Sequence, residues 1–413
     1  MDMTSSTSIV IIGAGPAGLI AAERLSAAGH PVDLYDRMPM PGRKFLMAGR
    51  GGLNLTHSEP LDHFIARYAD AASFLSPYSD RFPPQALRAW SRDLGEDSFV
   101  GSSGRIFPKS FKASPLLRAW IRRLETRNVT FHMRHKWIGW SNTRDLIFET
   151  NGKQKKTVAA ACVLLALGGA SWPRLGADGS WQIILRDKGI KIQPLTASNV
   201  GIRVRWSPLM RERFAGSPLK RLRLSCDTSQ AVGEAVITEE GLEGGAIYAL
   251  GAALRASLAQ SGSAILIMDL RRDLSESELT TRLSKPRGKK SLSSFLANAA
   301  GLDPAIIALL RESFMQRGET LPEDIPALAR VIKNCPLRIE GMNGLDRAIS
   351  SAGGIDRHEL DHHLMIKSMP GVFVAGEMID WDAPTGGYLL QACFATGVAA
   401  AEGIMRWCAD TSS

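Results

Sequence analysis

Hydrophobic residues near the start of the chain form a strand pattern followed directly by a helix pattern. Ile9 to Ile12 is an unbroken β-branched run, which predicts a strand buried on both faces. Apolar residues then recur at helical spacing from position 19 to position 28, and Gly29 ends that helix. Pro31 to Tyr35 predicts a second buried strand. This order of elements is that of a parallel βαβ unit.

The turn between the first strand and the helix has the composition of a phosphate-binding loop, Gly13-Ala14-Gly15-Pro16-Ala17-Gly18. Gly13 permits a tight turn, Gly15 lets the backbone approach a pyrophosphate, and Gly18 lets the helix pack on the strand. The second strand ends in Asp36, which is 21 residues beyond Gly15 and is followed by Arg37. An acid at this place accepts hydrogen bonds from a ribose. The segment predicts a dinucleotide site in a Rossmann-like α/β domain, without separating FAD from NAD.

A second segment, near the end of the chain, favours FAD. Val372 to Ala375 predicts another buried strand, and a long helical stretch ends at about Cys408. Between them stand candidate cofactor-binding residues, Gly376, Glu377, Asp380, Gly386, Gly387 and Tyr388. A helix that starts here directs its positive end at the pyrimidine edge of a flavin, which favours the anionic reduced form. A terminal core helix explains the helical pattern but not its paired glycines.

The residues between these segments predict a mixture of helices and strands. Residues 60–125 have a mainly helical pattern, while Thr130 to Trp140 and Leu146 to Thr150 predict strands. Ala161 to Leu167 predicts a buried strand that ends at two candidate cofactor contacts, Gly168 and Gly169. Asp178 is expected to cap a helix that runs through Asp187, because Asp is a favourable N-cap.

The pattern changes to short alternating stretches at about Asn199, which indicates an inserted domain. Leu274 to about Gly318 has a helical pattern, with Ser275 and Glu278 as a capping box and a basic break at 285–290. We therefore expect a two-part FAD-binding domain, 1–198 and 341–413, and an inserted β-barrel-like and helical substrate domain, 199–340.

Composition restricts the class of protein and its compartment. The 413 residues are 45% hydrophobic and 22% charged, which is ordinary for a folded protein of two to three domains. The five cysteines are odd in number and contain no Cys-x-x-Cys, so reduced thiols in a cytoplasmic protein are expected. The N-terminal residues carry no basic region and do not resemble a signal peptide, and the apolar run that follows is interrupted by charges. We expect no membrane span.

The net charge of +9 favours anionic partners, and the bases are clustered. Residues 101–140 contain nine Arg or Lys and one acid, 203–223 contain seven bases and one acid, and 282–290 contain five bases and no acid. Solvated faces with a few cofactor contacts account for these clusters. The alternative is a nucleic-acid surface, for which the aromatic partners in the first two clusters are few: Phe107, Phe111, Trp120, Trp137, Trp206 and Phe214.

Further motifs resemble one bacterial flavoprotein family along nearly the whole chain. They are Pro41 to Lys44, Gly49 to Thr56, Gly104 to Pro108 with Lys112 to Ser114, Leu167 to Pro173, Ala352 to Ile355, Ala375 to Glu377 and Pro384 to Tyr388. In this order and spacing, the chain resembles the BaiN-like or aminoacetone-oxidase-family FAD-binding enzymes. The resemblance implies an FAD-dependent oxidoreductase, with substrates among small amines, steroid-like enoyl compounds and uracil in ribosomal RNA. The family usually has Gly-Gly-x-Cys-Asn where this chain has Leu53 before Asn54, so a catalytic cysteine does not carry over.

The candidate site residues follow from these motifs. Arg43, Lys44 and Arg50 are expected to compensate cofactor charge, with Gly51, Gly52 and Asn54 beside the flavin or the substrate. Candidate acids or hydrogen-bond donors for catalysis are Tyr388, Asn54 and His57; a packed core tyrosine and a satisfied loop histidine are the alternatives. His358, His362 and His363 are read as a surface loop, and no metal is expected.

The predicted function is hydride transfer between FAD and an unidentified substrate, either a small molecule or RNA. NAD(P)H is a candidate reductant, although the chain has a single Gly-x-Gly-x-x-Gly. The alternatives are an RNA-acting flavoprotein, either a ribosomal RNA uracil reductase or a binding factor, and a small-amine oxidase that uses oxygen. The oligomeric state is left open.

Overall fold

The computed structural model describes residues 8–49, 51–150 and 154–411. Residue contacts divide the chain into two units, one of residues 1–196 with 350–413 and one of residues 197–349. Each unit has its own hydrophobic core.

The first part of the larger unit alternates strands and helices. Its strands are β1 (Ile9–Ile12), β2 (Val32–Asp36), β3 (Thr56–His57), β4 (Ser98–Val100), β5 (Arg105–Pro108), β6 (Val129–Met133), β7 (His135–Trp140), β8 (Leu146–Thr150), β9 (Gln154–Val158), β10 (Cys162–Leu165) and β11 (Ile192–Ser198). Its helices are α1 (Pro16–Ala27), α2 (Arg43–Ala48), α3 (Leu61–Ala66), α4 (Ala72–Arg81), α5 (Pro84–Asp93), α6 (Ala113–Glu125) and α7 (Trp181–Arg186).

The second unit, residues 197–349, also contains both strands and helices, and the chain then returns to the larger unit. The strands of the second unit are β12 (Ile202–Arg203), β13 (Pro218–Cys226), β14 (Ser229–Ile237), β15 (Gly241–Glu243), β16 (Ala264–Asp269), β17 (Cys335–Ile339) and β18 (Gly341–Met342). Its helices are α8 (Pro208–Phe214), α9 (Gly245–Ala249), α10 (Gly251–Ser261), α11 (Glu276–Leu283), α12 (Leu292–Ala300), α13 (Pro304–Met315) and α14 (Ile325–Lys333). The larger unit then adds β19 (Ser350–Ile355), β20 (Val372–Val374) and α15 (Tyr388–Thr411).

A parallel five-stranded sheet in the order β20-β10-β1-β2-β6 forms the centre of the larger unit. All four residues of β1 are buried, as its β-branched run predicts. Ile9 pairs with Val32 on one side and Cys162 on the other, so β1 is a central strand. This sheet confirms the predicted Rossmann-like fold. Because its strands are parallel, the carboxyl ends of β1 and β20 lie on the same side of the sheet.

The predicted strand Thr130 to Trp140 is two strands in different sheets. Arg134 has a φ of 62°, which interrupts the extended backbone between β6 and β7. β6 belongs to the parallel sheet, whereas β7, β8 and β9 form a separate antiparallel sheet. A local left-handed turn of this kind leaves the alternation of side chains almost unchanged, so the pattern alone did not show it.

The region 60–125 is less helical than expected, and the helix at Asp178 begins later. Besides α3 to α6, the region contains β4 and β5, which pair with β3 in a three-stranded antiparallel sheet. α7 begins at Trp181 with Ser180 at its N-cap position. Asp178 accepts a hydrogen bond from the backbone N–H of Ser180 and forms an ion pair with Arg37, so it does not cap α7.

The smaller unit combines a seven-stranded antiparallel sheet with helices. The sheet has the order β17-β16-β13-β14-β15-β12-β18, an open sheet where a barrel-like fold was expected. Ser275 and Glu278 form the predicted capping box at the start of α11. The basic segment 285–290 separates α11 from α12 and is exposed, as the break in the helical pattern indicated.

α15 is the one helix of the described chain with the length and hydropathy of a membrane span. About four-fifths of its most apolar window, 78%, is buried inside the protein. Its inner face packs in the core of the larger unit, where Phe394 contacts Trp90 and Trp120. A core helix of this kind satisfies the same length and composition as a span.

Candidate functional site

A cleft in the larger unit lies at the carboxyl ends of the parallel strands. Its wall includes Gly13 after β1, Asp36 at the end of β2, Leu167 after β10 and Ala375 after β20. The space inside it is about 970 Å³, including the part open to solvent. Ligands of open α/β sheets bind at this edge, so the fold itself marks the cleft as the candidate site.

The three glycines of the first turn differ in the space around them. A Cβ on Gly13, whose φ is 113°, would lie 2.2 Å from the carbonyl oxygen of Ala166. A Cβ on Gly18 would lie 2.0 Å from the carbonyl oxygen of Gly13. Gly15 lines the cleft, and a Cβ there would meet no atom within 4 Å. Gly13 and Gly18 therefore permit close packing, whereas Gly15 keeps space clear inside the cleft.

The N-terminus of α1 faces this cleft. Gly15 is the N-cap residue and supplies no side-chain hydrogen bond, and Pro16 occupies the first turn. Ala14, Pro16 and Ala17 all line the cleft. The backbone N–H groups of an uncapped first turn and the helix dipole attract an anionic group such as a pyrophosphate.

Asp36 is anchored by two backbone N–H groups. Ala14 donates to its Oδ2 and Met38 donates to its Oδ1, each over 2.7 Å. Burial raises the pKa of Asp36, while these hydrogen bonds and the charge of Arg37 act in the opposite direction. Each carboxylate oxygen can accept a second hydrogen bond, so Asp36 is oriented for a ribose hydroxyl at the wall of the cleft.

Arg37 also lines the cleft and pairs with Asp178 across it. Burial acts to raise the pKa of Asp178, but the hydrogen bond and charge of Arg37 outweigh it and leave that pKa below its ordinary value. Gly168 lies on the same wall, and its carbonyl oxygen accepts a hydrogen bond of 2.9 Å from the indole N–H of Trp181. These contacts hold residues that line the cleft.

Lys44 joins the early and late segments at the wall of the cleft. Its Nζ donates to Glu377 Oε2 over 2.8 Å and to Ser171 Oγ over 2.6 Å. Glu377 Oε1 accepts from the backbone N–H of Ser351. Lys44 and Glu377, both predicted as cofactor contacts, are therefore brought together and form an ion pair. Arg43 lines the cleft beside them.

Gly169 packs beneath this ion pair rather than on the cleft surface. A Cβ on Gly169 would lie 1.8 Å from Ser351 Oγ and 3.5 Å from Glu377 Oε1. The backbone N–H of Ala170 donates to Ser351 Oγ. Gly169 therefore lets β19 approach the loop after β10, and it supports the cleft from behind.

The Gly-rich segment after α2 carries two unsatisfied polar atoms. Asn54 Oδ1 and Thr56 Oγ1 are buried and have no hydrogen-bond partner within the described chain. Gly52, with a φ of 108°, packs against the ring of Phe111, and Gly51 is exposed. A buried polar atom without a partner is unfavourable, so these oxygens fit a bound group that supplies donors. Arg50 lies outside the described residues.

The late glycines bring the start of α15 against this segment. Gly387 has a φ of 94°, and a Cβ there would lie 2.5 Å from the Cα of Thr56. Gly376, with a φ of 75°, lines the cleft and its carbonyl oxygen accepts a hydrogen bond from the indole N–H of Trp381. The Gly-rich segment after α2 and the start of α15 therefore meet. Lys44 and Glu377, which are 333 residues apart in the sequence, join the same two parts of the chain.

Of the predicted contacts of the late segment, Gly376 and Glu377 line the cleft, whereas Asp380, Gly386, Gly387 and Tyr388 do not. Asp380 does not line the cleft; its backbone N–H bonds to the carbonyl oxygen of Ile355, and burial raises the pKa of its side chain. Gly386, with a φ of 138°, lies beside the ring of Tyr388, where a Cβ would be 2.6 Å from Cε2. Both are placed near the site rather than on the surface of its main cleft.

Tyr388 and His57 meet around Glu59, a residue that sequence reasoning missed. The Tyr388 hydroxyl donates to Glu59 Oε1 over 2.5 Å, and Arg67 donates to Glu59 Oε2 over 2.9 Å. The rings of His57 and Tyr388 stack with centroids 5.5 Å apart. His57 Nδ1 accepts from the backbone N–H of Glu59, so its Nε2 carries the proton and donates to the carbonyl oxygen of Ser103.

The electrostatics of this cluster favour an ionised Glu59 and a neutral Tyr388. Burial acts to raise the pKa of Glu59, but hydrogen bonds from Arg67 and Tyr388 outweigh it and leave that pKa low. Burial, together with the neighbouring carboxylate, raises the pKa of Tyr388 above its ordinary value. Glu59 follows His57 by two residues, which is not a recognisable sequence motif. Only the fold shows that Glu59 contacts Tyr388.

Among the described residues, no group of three or more His, Cys, Asp or Glu has the arrangement of a metal site. The rings of His362 and His363 lie 3.9 Å apart at an angle of 43°, and the charges around His363 include Arg406 and Arg81. Burial and these charges lower the pKa of His363.

Comparison with known families identifies the fold and its class. The family model described as HI0933-like protein Rossmann domain matches residues 7–403. The chain belongs to this family. Its members bind FAD through the Rossmann domain, and this protein is an enzyme of the FAD-dependent oxidoreductase class.

Two relatives are similar over almost their whole length. The ribosomal RNA dihydrouridine synthase of Escherichia coli (strain K12) is 25% identical, with 96% of this chain and 97% of the relative covered. The 3-dehydro-bile acid delta(4,6)-reductase of Clostridium scindens is also 25% identical, with 94% of this chain and 97% of the relative covered. The two names describe different substrates at the same level of similarity.

Solved structures share the fold at lower identity. A flavocytochrome c3 fumarate reductase has a TM-score of 0.53 at 15% identity, covering 98% of this chain and 79% of that one. The 3-ketosteroid delta1-dehydrogenase of Sterolibacterium denitrificans has a TM-score of 0.54 at 13% identity, covering 97% and 100%. At this identity the likeness concerns the fold alone.

Proposed function

We propose that this member of the HI0933-like family transfers hydride from FAD, bound in the cleft, to an electron-poor double bond of its substrate. The observation that carries the proposal is the cleft itself. Its glycine-lined space, uncapped helix N-terminus and anchored Asp36 match the parts of a dinucleotide in order. Both relatives have names that describe the addition of hydrogen to an unsaturated compound.

The residues present fit FAD. Gly15 and the start of α1 would hold the pyrophosphate, Asp36 the adenosine ribose, and Arg43 with the Lys44–Glu377 pair the flavin half. The unsatisfied oxygens of Asn54 and Thr56 accept hydrogen bonds from the flavin edge or from the substrate. FAD supplies the hydride chemistry when bound, and the chain supplies orientation and charge.

Leu53 separates this chain from the family's Gly-Gly-x-Cys-Asn pattern, and we take it to mark a divergent branch. Its side chain is 1% exposed and packs in the core of the larger unit, so this position offers no proton. Tyr388 and His57 lie nearby, yet each is held in hydrogen bonds around Glu59. We propose that the proton that accompanies the hydride comes from solvent, and that Tyr388 and His57 position the segment.

NAD(P)H is the proposed reductant. The test is to purify the protein, record its visible spectrum and add NADPH or NADH without oxygen. We expect a flavin spectrum that bleaches, followed by reoxidation with a conjugated enone or with unmodified ribosomal RNA. A protein that neither carries flavin nor regains it on incubation with FAD contradicts the proposal.

A flavin that remains oxidised with both nicotinamides would direct attention to oxidase chemistry. Small primary amines would then be added in air and peroxide release measured. Peroxide formation coupled to flavin turnover would replace the reductase proposal with the amine oxidase alternative. The glycine variant Gly15→Val, which fills the cleft, serves as the cofactor-free control in both assays.

An RNA substrate is the second candidate, favoured by one further observation. Residues 98–118 contain four bases, Arg105, Lys109, Lys112 and Arg118, and no acid. Three of them, Lys109, Lys112 and Arg118, are exposed. Binding of ribosomal RNA that weakens steeply with added salt would support this candidate, and no binding at low salt would exclude it.

A cytoplasmic location completes the proposal. The Cys162 and Cys408 thiols form a hydrogen bond over 3.9 Å rather than a disulfide. Thiols in this state fit a reducing compartment. Fractionation of cells that produce the protein, followed by immunoblotting of the soluble and membrane fractions, tests the location directly.

A further inference from the structure

Three phenylalanine rings form a layer on the small antiparallel sheet of the larger unit. Phe99 on β4 pairs directly with Phe107 on β5, and Phe111 follows three residues after that strand. Their ring centroids are separated by 5.9 Å (Phe99 to Phe107), 4.9 Å (Phe107 to Phe111) and 6.3 Å (Phe99 to Phe111). The planes of the three rings differ by 21° to 31°. We call Phe99, Phe107 and Phe111 the phenylalanine platform.

The platform is exposed where the other aromatic residues are not. Phe99 is 40% exposed and Phe111 is 44% exposed, and no other aromatic side chain of the described ranges is exposed to this extent. Trp120 and Trp137, from the same basic region, are buried in the core. Leaving large apolar rings in water is unfavourable, and a clustered apolar surface is typical of a binding site.

The platform is held in place by the Gly-rich segment. Phe111 has a φ of 61°, a conformation that a bulky residue rarely adopts and that surrounding contacts must maintain. Its carbonyl oxygen accepts a hydrogen bond from the backbone N–H of Leu53, and its ring covers Gly52, where a Cβ would lie 2.3 Å away. The rings are therefore presented by a constrained backbone rather than by a loose loop.

The charge around the platform favours an anionic partner. The segment that carries the three rings has four bases and no acid between positions 98 and 118. Lys109 is paired with Asp97 at 2.9 Å, whereas Lys112 and Arg118 are exposed and form no ion pair within the described chain. Aromatic faces bordered by exposed cations have the chemistry that binds single-stranded nucleic acid, with bases on the rings and phosphates at the cations.

We propose that the phenylalanine platform stacks an unpaired base of an RNA strand, which Lys112 and Arg118 hold by its phosphates. This inference rests on the RNA-directed form of the proposed function and assigns it a surface. β3 pairs with β5 through Thr56 and Ile106, so the platform belongs to the same sheet as the segment that carries Asn54. A nucleotide on the platform is therefore retained beside the unsatisfied oxygens of the candidate site.

The test measures binding of a fluorescently labelled single-stranded oligouridylate to the flavin-containing protein by anisotropy at low salt. The variants are Phe99→Leu, Phe111→Leu and the double variant, in which apolar character is kept and the aromatic face is lost. We expect each single variant to weaken binding by about tenfold and the double variant to weaken it further. The matched control is Ile183→Ala, since Ile183 is 66% exposed on α7, away from the platform.

Salt dependence separates stacking from charge. We expect the leucine variants to keep the wild-type salt dependence, because they remove no phosphate contact, and Lys112→Gln to reduce it. Leucine variants that bind RNA as tightly as the wild-type protein would overturn the proposal. Such a result would leave the platform as an apolar surface for a steroid-like compound or a protein.

The same preparations distinguish this proposal from the one on which it rests. Reduction of the flavin by NAD(P)H is expected to be unchanged in the leucine variants, and thermal unfolding confirms that they fold. Retained RNA binding without any flavin reduction would contradict the reductase proposal and leave the platform intact. Flavin reduction without RNA binding by the wild-type protein would overturn the platform and leave hydride transfer intact.

Discussion

Lys44 and Glu377 form an ion pair over 2.8 Å between segments 333 residues apart in the sequence. Lys44 lies in α2, after the first Gly-rich turn, and Glu377 follows the last strand of the parallel sheet. The side chain of Glu377 is 6% exposed and that of Lys44 is 24% exposed. The pair therefore joins the two parts of the larger unit at the wall of the cleft.

Removal of one partner is expected to destabilise the protein. Lys44→Met leaves a buried carboxylate without its cation and should lower the free energy of unfolding by about 2 kcal/mol, less than for a fully buried pair because Lys44 is partly exposed. Urea denaturation of Lys44→Met, Glu377→Gln and the double variant measures this effect. The double variant should lose about 1 kcal/mol less than the sum of the single losses.

Lys109→Met is the matched control for this cycle, because Lys109 pairs with Asp97 on the surface over a similar distance, 2.9 Å. Its loss should change stability much less than the loss of Lys44, since exposed ion pairs contribute little. Strictly additive losses at Lys44 and Glu377 would show that the two side chains do not depend on each other.

Gly15→Val is expected to abolish FAD binding without unfolding the protein. The backbone of Gly15 has a φ of −85°, which valine adopts, and a Cβ there points into free space within the cleft. The added side chain occupies the volume that a pyrophosphate needs, so the protein should purify without flavin. The measurement is the flavin content per protein, with circular dichroism of the same sample.

Gly13→Ala provides the opposite case in the same turn. A Cβ on Gly13 would lie 2.2 Å from the Ala166 carbonyl oxygen at a φ of 113°, so the strand ends must move apart. We expect a loss of at least about 2 kcal/mol of stability in the protein without cofactor. A stable, flavin-free Gly13→Ala beside an unfolded Gly15→Val would reverse the assigned roles.

The Asp356–Lys191 pair predicts a dependence of stability on pH. The hydrogen bond and charge of Lys191 and the backbone N–H of His358 lower the pKa of Asp356 from its ordinary 3.8 to about 2. A lowered folded-state pKa contributes stability above pH 3.8, and the contribution is lost as the pH falls towards 2. Because Lys191 is 66% exposed, we expect about 1 kcal/mol.

Asp356→Asn should therefore be less stable than the wild-type protein at pH 6, and the difference should shrink between pH 4 and pH 2.5. Urea denaturation of both proteins across this range measures the difference. A loss that stays constant down to pH 2.5 would mean that the hydrogen bonds, rather than the carboxylate charge, stabilise this corner of the fold.

Tyr388→Phe tests whether the tyrosine positions the site or donates a proton. Its hydroxyl is held by Glu59 over 2.5 Å and its pKa is raised, which makes it a poor acid. We expect a stability loss of about 1 kcal/mol from the lost hydrogen bond to Glu59, which Arg67 still pairs, and less than about threefold change in turnover with substrate. Catalysis that falls by about a hundredfold or more at unchanged stability would instead assign Tyr388 as the proton donor.

Local sequence was sufficient where the structure depends on local chemistry. The strand at Ile9 to Ile12, the glycine turn that follows it, and the capping box of Ser275 and Glu278 are as predicted. The unbroken strand predicted across Arg134 and the helix cap predicted at Asp178 were both wrong. The left-handed backbone of Arg134 and the ion pair of Asp178 with the distant Arg37 are not visible in the neighbouring residues.

The sequence by itself determined the Rossmann-like fold and the first half of the site, because a βαβ unit with its phosphate turn is built from neighbouring residues. Only the tertiary structure decided that Glu377 meets Lys44, that Glu59 receives Tyr388, and that Phe99 and Phe111 stay exposed while Trp120 is buried. These outcomes depend on which distant strands become adjacent. Burial and pairing are properties of the whole packed unit, so no local pattern contains them.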